Sequence, residues 1–255
     1  MLRILKVANV LMSALTRYKW LQYRGSELVY KLLVLFSSIY KASFVAKDYV
    51  IVPTPYGKLF LPKTGYAANR IITFMLDLIE PQWRNEFEST VKNVNCMVDV
   101  GAASDGYYSL KACRLNPKIL VIALEPSSSE YYWLINNVVL NKLFNNVKVL
   151  KYALGNPINC MIIDGEYVKC LTLDELVTKH AIIGVDVIKI DVEGSGYEVI
   201  TEGMNTIKRY KPVIFFEVHN VKERGALKLL RKLGYDIIEK PGDMYIAFPN
   251  TIKAK

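Results

Sequence analysis

Two pairs of residues at two-residue spacing carry the groups best suited to proton transfer in this chain: Asp191 with Glu193, and Glu217 with His219. Each pair follows an apolar run, DVIKI before the first and PVIFF before the second, so each stands where a buried strand ends. Side chains two apart on a strand point to one face, which lets each pair present both groups to one cleft. A carboxylate or an imidazole in that position can take the proton of a hydroxyl nucleophile, and His219 has the better unperturbed pKa for it. Asp191, Glu193 and His219 are the catalytic candidates on this ground. Two alternatives stay open: Glu193 caps the helix that begins near Ser195, and His219 is a structural histidine. The four side chains together also have the composition of a divalent-cation site, but catalysis without a metal is the preferred reading.

A second set lies upstream, in the run CMVDVGAASDGYYSL from Cys96 to Leu110. Its first half suits a strand buried on both faces, and its second half begins a helix. The small residues between them predict free backbone N–H groups at a helix N-terminus, where a nucleotide-like ligand can dock. Glu125, 19 residues after Gly106, ends the next strand, where a carboxylate can accept hydrogen bonds from both hydroxyls of a ribose. Ala102 and Ala103 stand where a GxGxxG loop has the glycines that admit a pyrophosphate, so a nucleoside without a diphosphate suits the loop better. S-adenosylmethionine is such a ligand. The cofactor candidates are Asp99, Gly101, Ala102, Ser104, Gly106, Glu125, Pro126 and Ala153, all near strand ends.

The elements that must hold these residues alternate regularly. Strands are predicted over residues 96–100, 119–124, 147–153, 185–191 and 212–219, with helices over 128–143, 173–179, 195–210 and 221–233 between them. Strands over 236–239 and 244–248 close the chain around the Pro241-Gly242 turn. This pattern implies an α/β, doubly wound, mostly parallel sheet with one antiparallel member. In such a sheet ligands bind beyond the carboxyl ends of the strands, at the point where strand order reverses. Upstream, YVIVPTPYGKLFLP over residues 49–62 reads as a β-hairpin, and helical patterns follow over 66–79 and 82–91.

Several blocks in order make the chain resemble the FkbM-type methyltransferases, a class I S-adenosylmethionine-dependent group, over about residues 81–248. They are VDVGAASDGYYSL, ALEPSSSEYYWLINNVVLNKL, KYALGN, LTLDELV, DVIKIDVEGSGYEVITEG and KPVIFFEVH. The resemblance implies a seven-stranded, Rossmann-like methyltransferase fold. It also implies that Asp99, Gly101, Ala102 and Gly106 shape the methionine end of the cofactor site, with Glu125 on the ribose. Where the family reads GANxG this chain has GAASDG, and Gly196 stands where the family has a second acidic residue after DVEG. Asn137 and Asn141 match the family pattern; without it they read as a solvent face or a loop tie. Tyr107, Tyr108, Tyr131 and Tyr132 read as packing residues more than as a stacking platform.

The activity implied is methyl transfer to oxygen on a sugar, glycolipid or other small hydroxylated acceptor. Asp191-Val192-Glu193 occupies the place of an Asn-Pro-Pro-Tyr-type motif, which disfavours methylation of nucleic-acid base amines. RNA ribose or protein methylation is the alternative enzyme reading. A catalytically silent fold serving as a membrane-associated or assembly module is the alternative outside catalysis.

The formal net charge of the 255-residue chain is +9. Residues 1–47 hold eight basic residues against Glu27, a net +7, which leaves +2 for the rest and indicates no nucleic-acid-binding face there. The organisation expected is a basic amphipathic helical arm over 1–48, a hairpin and helical lead-in over 49–95, and the methyltransferase domain over 96–255. Three readings of the arm compete: packing onto the main domain or a second copy, lying on an anionic membrane surface, and a cleaved signal peptide. The longest uncharged run of its second helix, residues 32–40, falls far short of a membrane span, and a cytoplasmic chain with peripheral membrane contact is expected. The four cysteines show no zinc spacing; Cys160 and Cys170 flank the Asp164-Gly165 turn and could approach across a hairpin.

Overall fold

The computed structural model describes Leu35, Ser38 and residues 48–64, 69–156, 161–163 and 165–250. The basic arm, apart from Leu35, Ser38 and Asp48, lies outside the described residues, as do Cys160 and Asp164. The chain divides into two compact units, residues 1–79 and residues 80–255.

In the first unit, β1 (Tyr49–Thr54) and β2 (Gly57–Pro62) pair antiparallel, from Tyr49 opposite Pro62 to Thr54 opposite Gly57. This is the hairpin the alternation predicts; Val50, Val52, Leu59 and Leu61 are buried on one face. Of the helix expected over 66–79, the described residues show Asn69 as helical, a turn at Arg70 and then α1 (Ile71–Met75). Asp77 takes a left-handed φ of 55°, which a helix cannot continue through.

The second unit is built on a seven-stranded sheet. Its strands are β3 (Cys96–Val100), β4 (Leu120–Leu124), β5 (Val147–Leu150), β10 (Val187–Ile190), β11 (Val213–Glu217), β12 (Tyr235–Lys240) and β13 (Met244–Pro249). The spatial order is β12-β13-β11-β10-β3-β4-β5. All pairs are parallel except those of β13, which runs antiparallel to both β11 and β12. From β3 the chain winds outward through β4 to β5, then crosses back to β10 and winds the other way. The order therefore reverses between β3 and β10. Apolar side chains cover both faces of these strands, and all five residues of β3 are buried.

The helices are α2 (Arg84–Val91), α3 (Tyr107–Leu115), α4 (Ser128–Leu140), α5 (Leu173–Lys179), α6 (Gly196–Thr201), α7 (Met204–Tyr210) and α8 (Val221–Lys232). Local chemistry sets their starts. Thr172 and Glu175 form a capping box on α5, Ser127 caps α4 and Asn220 caps α8. Short strands β6 (Ala153–Leu154), β7 (Met161–Ile163), β8 (Glu166–Val168) and β9 (Cys170–Leu171) fill the crossover from β5 to β10; β6 pairs parallel with β9, and β7 pairs antiparallel with β8.

Two expected elements come out divided. The strand predicted over 147–153 ends at Leu150, because Ala153 turns away to bond the Lys169 carbonyl. The single helix predicted over 195–210 breaks at Gly203 into α6 and α7. A Cβ at Gly203 would stand 2.7 Å from Leu173 Cδ2 and from the Val199 carbonyl oxygen, so the close packing of α5 dictates the break.

Candidate active site

The loop from Gly101 to Gly106 joins β3 to α3 at the reversal point. Gly101 has φ +80°, and a Cβ there would lie 1.9 Å from the Asp191 carbonyl oxygen, so the ends of β3 and β10 touch through a position only glycine can occupy. Gly106 is left-handed as well, with Leu134 of α4 against the space where a Cβ would be. The backbone amides of the loop are not free, contrary to the sequence expectation. Gly101 and Ala102 N–H both donate to the Leu124 carbonyl. Ala103 N–H donates to Glu125 Oε2 at 3.0 Å, and Ser104 N–H to Glu130 Oε2 at 2.9 Å. Four consecutive amides are thus taken by groups on neighbouring elements. Asn137 ties the same loop from α4 by donating to the Ser104 carbonyl at 2.8 Å, while Asn141 bonds the Asn137 carbonyl.

With four of its six amides engaged, this loop has few donors left for a phosphate. It is a rigid edge suited to a ligand without phosphates. Glu125 receives the Ser127 N–H on its other oxygen at 2.9 Å, and its oxygens retain lone pairs for two hydroxyls. Burial raises its pKa to about 7, against the lowering effect of the Ser127 and Ala103 amides. Pro126 follows it, half-buried, and Ala153 is buried in β6. Tyr107 and Tyr108 are buried packing residues, as expected, whereas Tyr132 is exposed.

Strand register puts the chemistry on one face of three adjacent strands. Asp99, Lys189 and Phe215 are neighbours across β3, β10 and β11. One step further toward the carboxyl ends come Gly101, Asp191 and Glu217, with His219 beyond. Asp191 Oδ2 meets Lys189 Nζ at 2.9 Å, and Asp191 Oδ1 meets His219 Nε2 at 3.1 Å. Burial by itself would raise the Asp191 pKa, but the Lys189 ammonium and the His219 hydrogen bond hold it well below the usual carboxylate range. The Asp191 hydrogen bond raises the His219 pKa, against partial burial. Glu217, half-buried and facing the charges of Asp191 and Glu80, is pushed up to about 7. Asp191, Glu217 and His219 offer ligand atoms within 4.8 Å of one another, a spacing that could hold a metal ion.

Asp99 lies behind this row at 1% exposure. Its Oδ2 accepts the Ser109 hydroxyl hydrogen bond at 2.6 Å, and its Oδ1 has no partner among the described residues. Burial raises its pKa, opposed by Lys189 and Ser109.

Glu193 does not join the group. The backbone turns sharply at Val192–Gly194, where Gly194 N–H reaches the Val192 carbonyl at 2.6 Å, and Glu193 is exposed. Nor does it cap α6: the Gly196 N–H donates to Glu223 Oε1 at 2.8 Å. Glu223, fully buried on α8, also takes the His219 N–H on Oε2 at 2.7 Å. A Cβ at Gly196 would lie 2.5 Å from the Phe216 ring and 2.9 Å from Glu223 Oε1, so the missing acidic residue at this position makes room for that bridge.

Lys189, Glu80 and Glu223 were not among the candidates from sequence. Lys189 had a visible signal, a lone charge inside the apolar run VIKI of a two-faced strand. It is 3% exposed, and despite burial its neighbours Asp191, Glu80 and Asp99 raise its pKa. Its ammonium lies 4.9 Å from the Tyr108 ring centre. Tyr108 OH in turn accepts from Trp83 Nε1 at 2.6 Å and donates to Glu80 Oε2 at 2.5 Å. Glu80 and Glu223 had no local signal, because their partners are remote in sequence.

The strand order, the single antiparallel strand and the glycine-edged reversal point define a class I methyltransferase fold. Residues 161–237 match the family described as Methyltransferase FkbM domain, and through that domain the protein is a methyltransferase. The match contains Asp191, Glu193, Glu217 and His219 and leaves Asp99–Gly106 and Glu125 outside. No curated protein matches the chain. Among solved structures it is similar to the METTL16 MTase domain, with TM-score 0.51 and 17% identity over 84% of this chain and 92% of that one. It is also similar to methyltransferase FkbM from Methylobacillus flagellatus KT, with TM-score 0.49 and 16% identity over 84% of this chain. There it spans 59% of the other chain's length. A third likeness is precorrin-6y C5,15-methyltransferase from Geobacter metallireducens GS-15, with TM-score 0.46 and 18% identity over 65% of this chain and 87% of that one. These identities speak to fold alone.

Proposed function

We propose that the protein is an S-adenosylmethionine-dependent O-methyltransferase acting on a sugar, glycolipid or other small hydroxylated acceptor. When bound, S-adenosylmethionine would supply an electrophilic methyl group, whose carbon bonds to the hydroxyl oxygen in line as its bond to the sulfonium sulfur breaks and a neutral thioether leaves. The residues present fit it in two respects. Glu125 has lone pairs for the two ribose hydroxyls beside a loop with four of its six amides engaged. The carboxyl groups of Asp99, Asp191 and Glu217 lie on one sheet face beside the Lys189 ammonium, where a cationic ligand would favour their ionised forms.

The observation that carries the reading is the Asp191–His219 hydrogen bond at the ends of β10 and β11. With Nε2–H donated to Asp191, the imidazole keeps Nδ1 as its basic nitrogen. Asp191 stays ionised beside Lys189 and stabilises the imidazolium that forms when Nδ1 takes the acceptor's proton. The remaining work is alignment of acceptor and methyl group, and the fixed loop edge serves it. Peripheral membrane attachment through the basic residues 1–47 belongs to the same proposal and rests on their net +7. No helix among the described residues is long and apolar enough to cross a membrane.

The test combines calorimetry with S-adenosylmethionine and single-turnover transfer to candidate acceptors in wild type and His219→Gln. Unchanged cofactor affinity with transfer lowered roughly 10²–10⁴-fold is expected for loss of a general base. Absence of cofactor binding at millimolar concentration would refute the assignment.

A further inference from the structure

We infer that Glu217 binds the acceptor, and that the acceptor carries hydroxyls on two neighbouring carbons: one is methylated beside His219 and the other donates to Glu217. This rests on the methyltransferase reading above and adds to it the class of molecule methylated and the residue that selects it.

Glu217 ends β11 in register with Asp191, one step beyond the pairing of Ile190 with Phe216. It is half-buried, yet its carboxyl forms no hydrogen bond or ion pair among the described residues. The donors beside it go to Asp191 instead. Lys189 Nζ bonds Asp191 Oδ2 at 2.9 Å and lies over the Tyr108 ring, and His219 Nε2 bonds Asp191 Oδ1 at 3.1 Å. A carboxyl left with lone pairs on both oxygens and an open side takes its donors from outside the chain. The side chains of Asp191 and His219 are 30% and 29% exposed, so a ligand can reach the group they form with Glu217.

The spacing selects two adjacent hydroxyls. Glu217 and His219 offer a carboxylate oxygen and a ring nitrogen within 4.8 Å of each other. Hydroxyls on neighbouring carbons, each donating at about 2.7 Å, span such a gap. The first gives its proton to His219 Nδ1 as its oxygen bonds to the methyl carbon, and the carbon–sulfur bond breaks to leave a neutral thioether. The second keeps its proton and donates it to Glu217, which fixes which of the two oxygens faces the methyl group. An acceptor with a single hydroxyl would cover Glu217 with carbon and strip it of water without supplying a donor. Loss of that kind discriminates strongly between otherwise similar substrates.

His219 reports on binding without any turnover. The chain holds two histidines, so nitrogen labels on the imidazoles give two sets of signals in the full chain, and His219→Gln assigns them by nuclear magnetic resonance. His180, bonded to Lys148 on the edge strand β5, is the internal control. The probes are titrated with S-adenosylhomocysteine present. cis-Cyclohexane-1,2-diol against cyclohexanol tests a saturated ring, and catechol against phenol an aromatic one. In at least one pair the diol should shift the His219 signals at a concentration roughly tenfold or more below that of the single alcohol. In Glu217→Ala, or in Glu217→Met should the smaller side chain unfold the protein, the ratio should fall to about one. A defect of folding would weaken both members of a pair alike and leave the ratio as it was. Equal concentrations within both pairs, a ratio that survives loss of the carboxyl, or no His219 shift with either diol would overturn the inference. A diol effect that needs added Mg²⁺ and vanishes with EDTA would overturn it as well, by assigning Glu217 to a cation. Calorimetry with S-adenosylmethionine keeps the two levels apart: cofactor binding without diol preference removes the role of Glu217 only, and absence of cofactor binding removes the methyltransferase reading with it.

Discussion

Replacing Glu125 with Gln keeps the side chain's shape and one acceptor oxygen while removing its titration. The folded-state pKa of about 7 stands well above the ordinary glutamate value of 4.5. At roughly 1.4 kcal/mol per pH unit, that gap corresponds to about 3 kcal/mol of pH-dependent stability. The sign follows from proton uptake. Between the two values the folded chain holds a proton on Glu125 that the unfolded chain has released, so wild-type stability falls as pH rises. The contribution is fully present below the unfolded value and is lost as pH passes the folded value near 7. Glu125→Gln carries no such dependence. Urea denaturation of both proteins at pH 5 and pH 8, compared at equal m, isolates this group because all other titrations cancel in the difference. The stability of wild type relative to the variant should fall by most of about 3 kcal/mol across that interval. Parallel curves would refute the reasoning. They would show that the amides of Ala103 and Ser127 fully offset the cost of burial. A charged carboxylate is also the better acceptor for hydroxyls, so cofactor binding should tighten as pH rises through 7 in wild type only.

Two further outcomes test the frame around the site. Gly101→Ala should give little folded protein, since the new Cβ would fall 1.9 Å from the Asp191 carbonyl oxygen at a left-handed φ; circular dichroism showing a wild-type melt would contradict the contact between β3 and β10. Glu223→Gln can accept from only one of the Gly196 and His219 amides, leaving a buried donor unmatched at a cost of roughly 1–3 kcal/mol. In a domain of this size the expected loss in melting temperature is roughly 3–10 °C, and an unchanged melt would remove Glu223 as a strut of the site.

Much of the fold was legible in local pattern, for definite physical reasons. The apolar runs at 96–100, 120–124, 187–190 and 213–217 can be satisfied only between two covered faces, and the regular helices between them force parallel pairing. The run from Gly101 to Gly106 announced a turn that larger residues cannot make. Asp191, Glu217 and His219 could be placed together because strand alternation is a local rule and all three stand at strand ends. Tertiary structure decided the rest. Whether the loop amides were free depended on Leu124, Glu125 and Glu130, which reach them from other elements. Alternation failed at Glu193 because the strand had already ended and the chain turned at Gly194. The break at Gly203 was set by Leu173, 30 residues away in the chain. Lys189 showed as an anomaly in an apolar strand, but only the packed sheet supplied Asp99, Asp191 and Glu80 as its partners. Sequence alone determined which residues stand at the strand ends; the remote contacts, through hydrogen bonding and exclusion of water, decided which of them face one another and in which charge state.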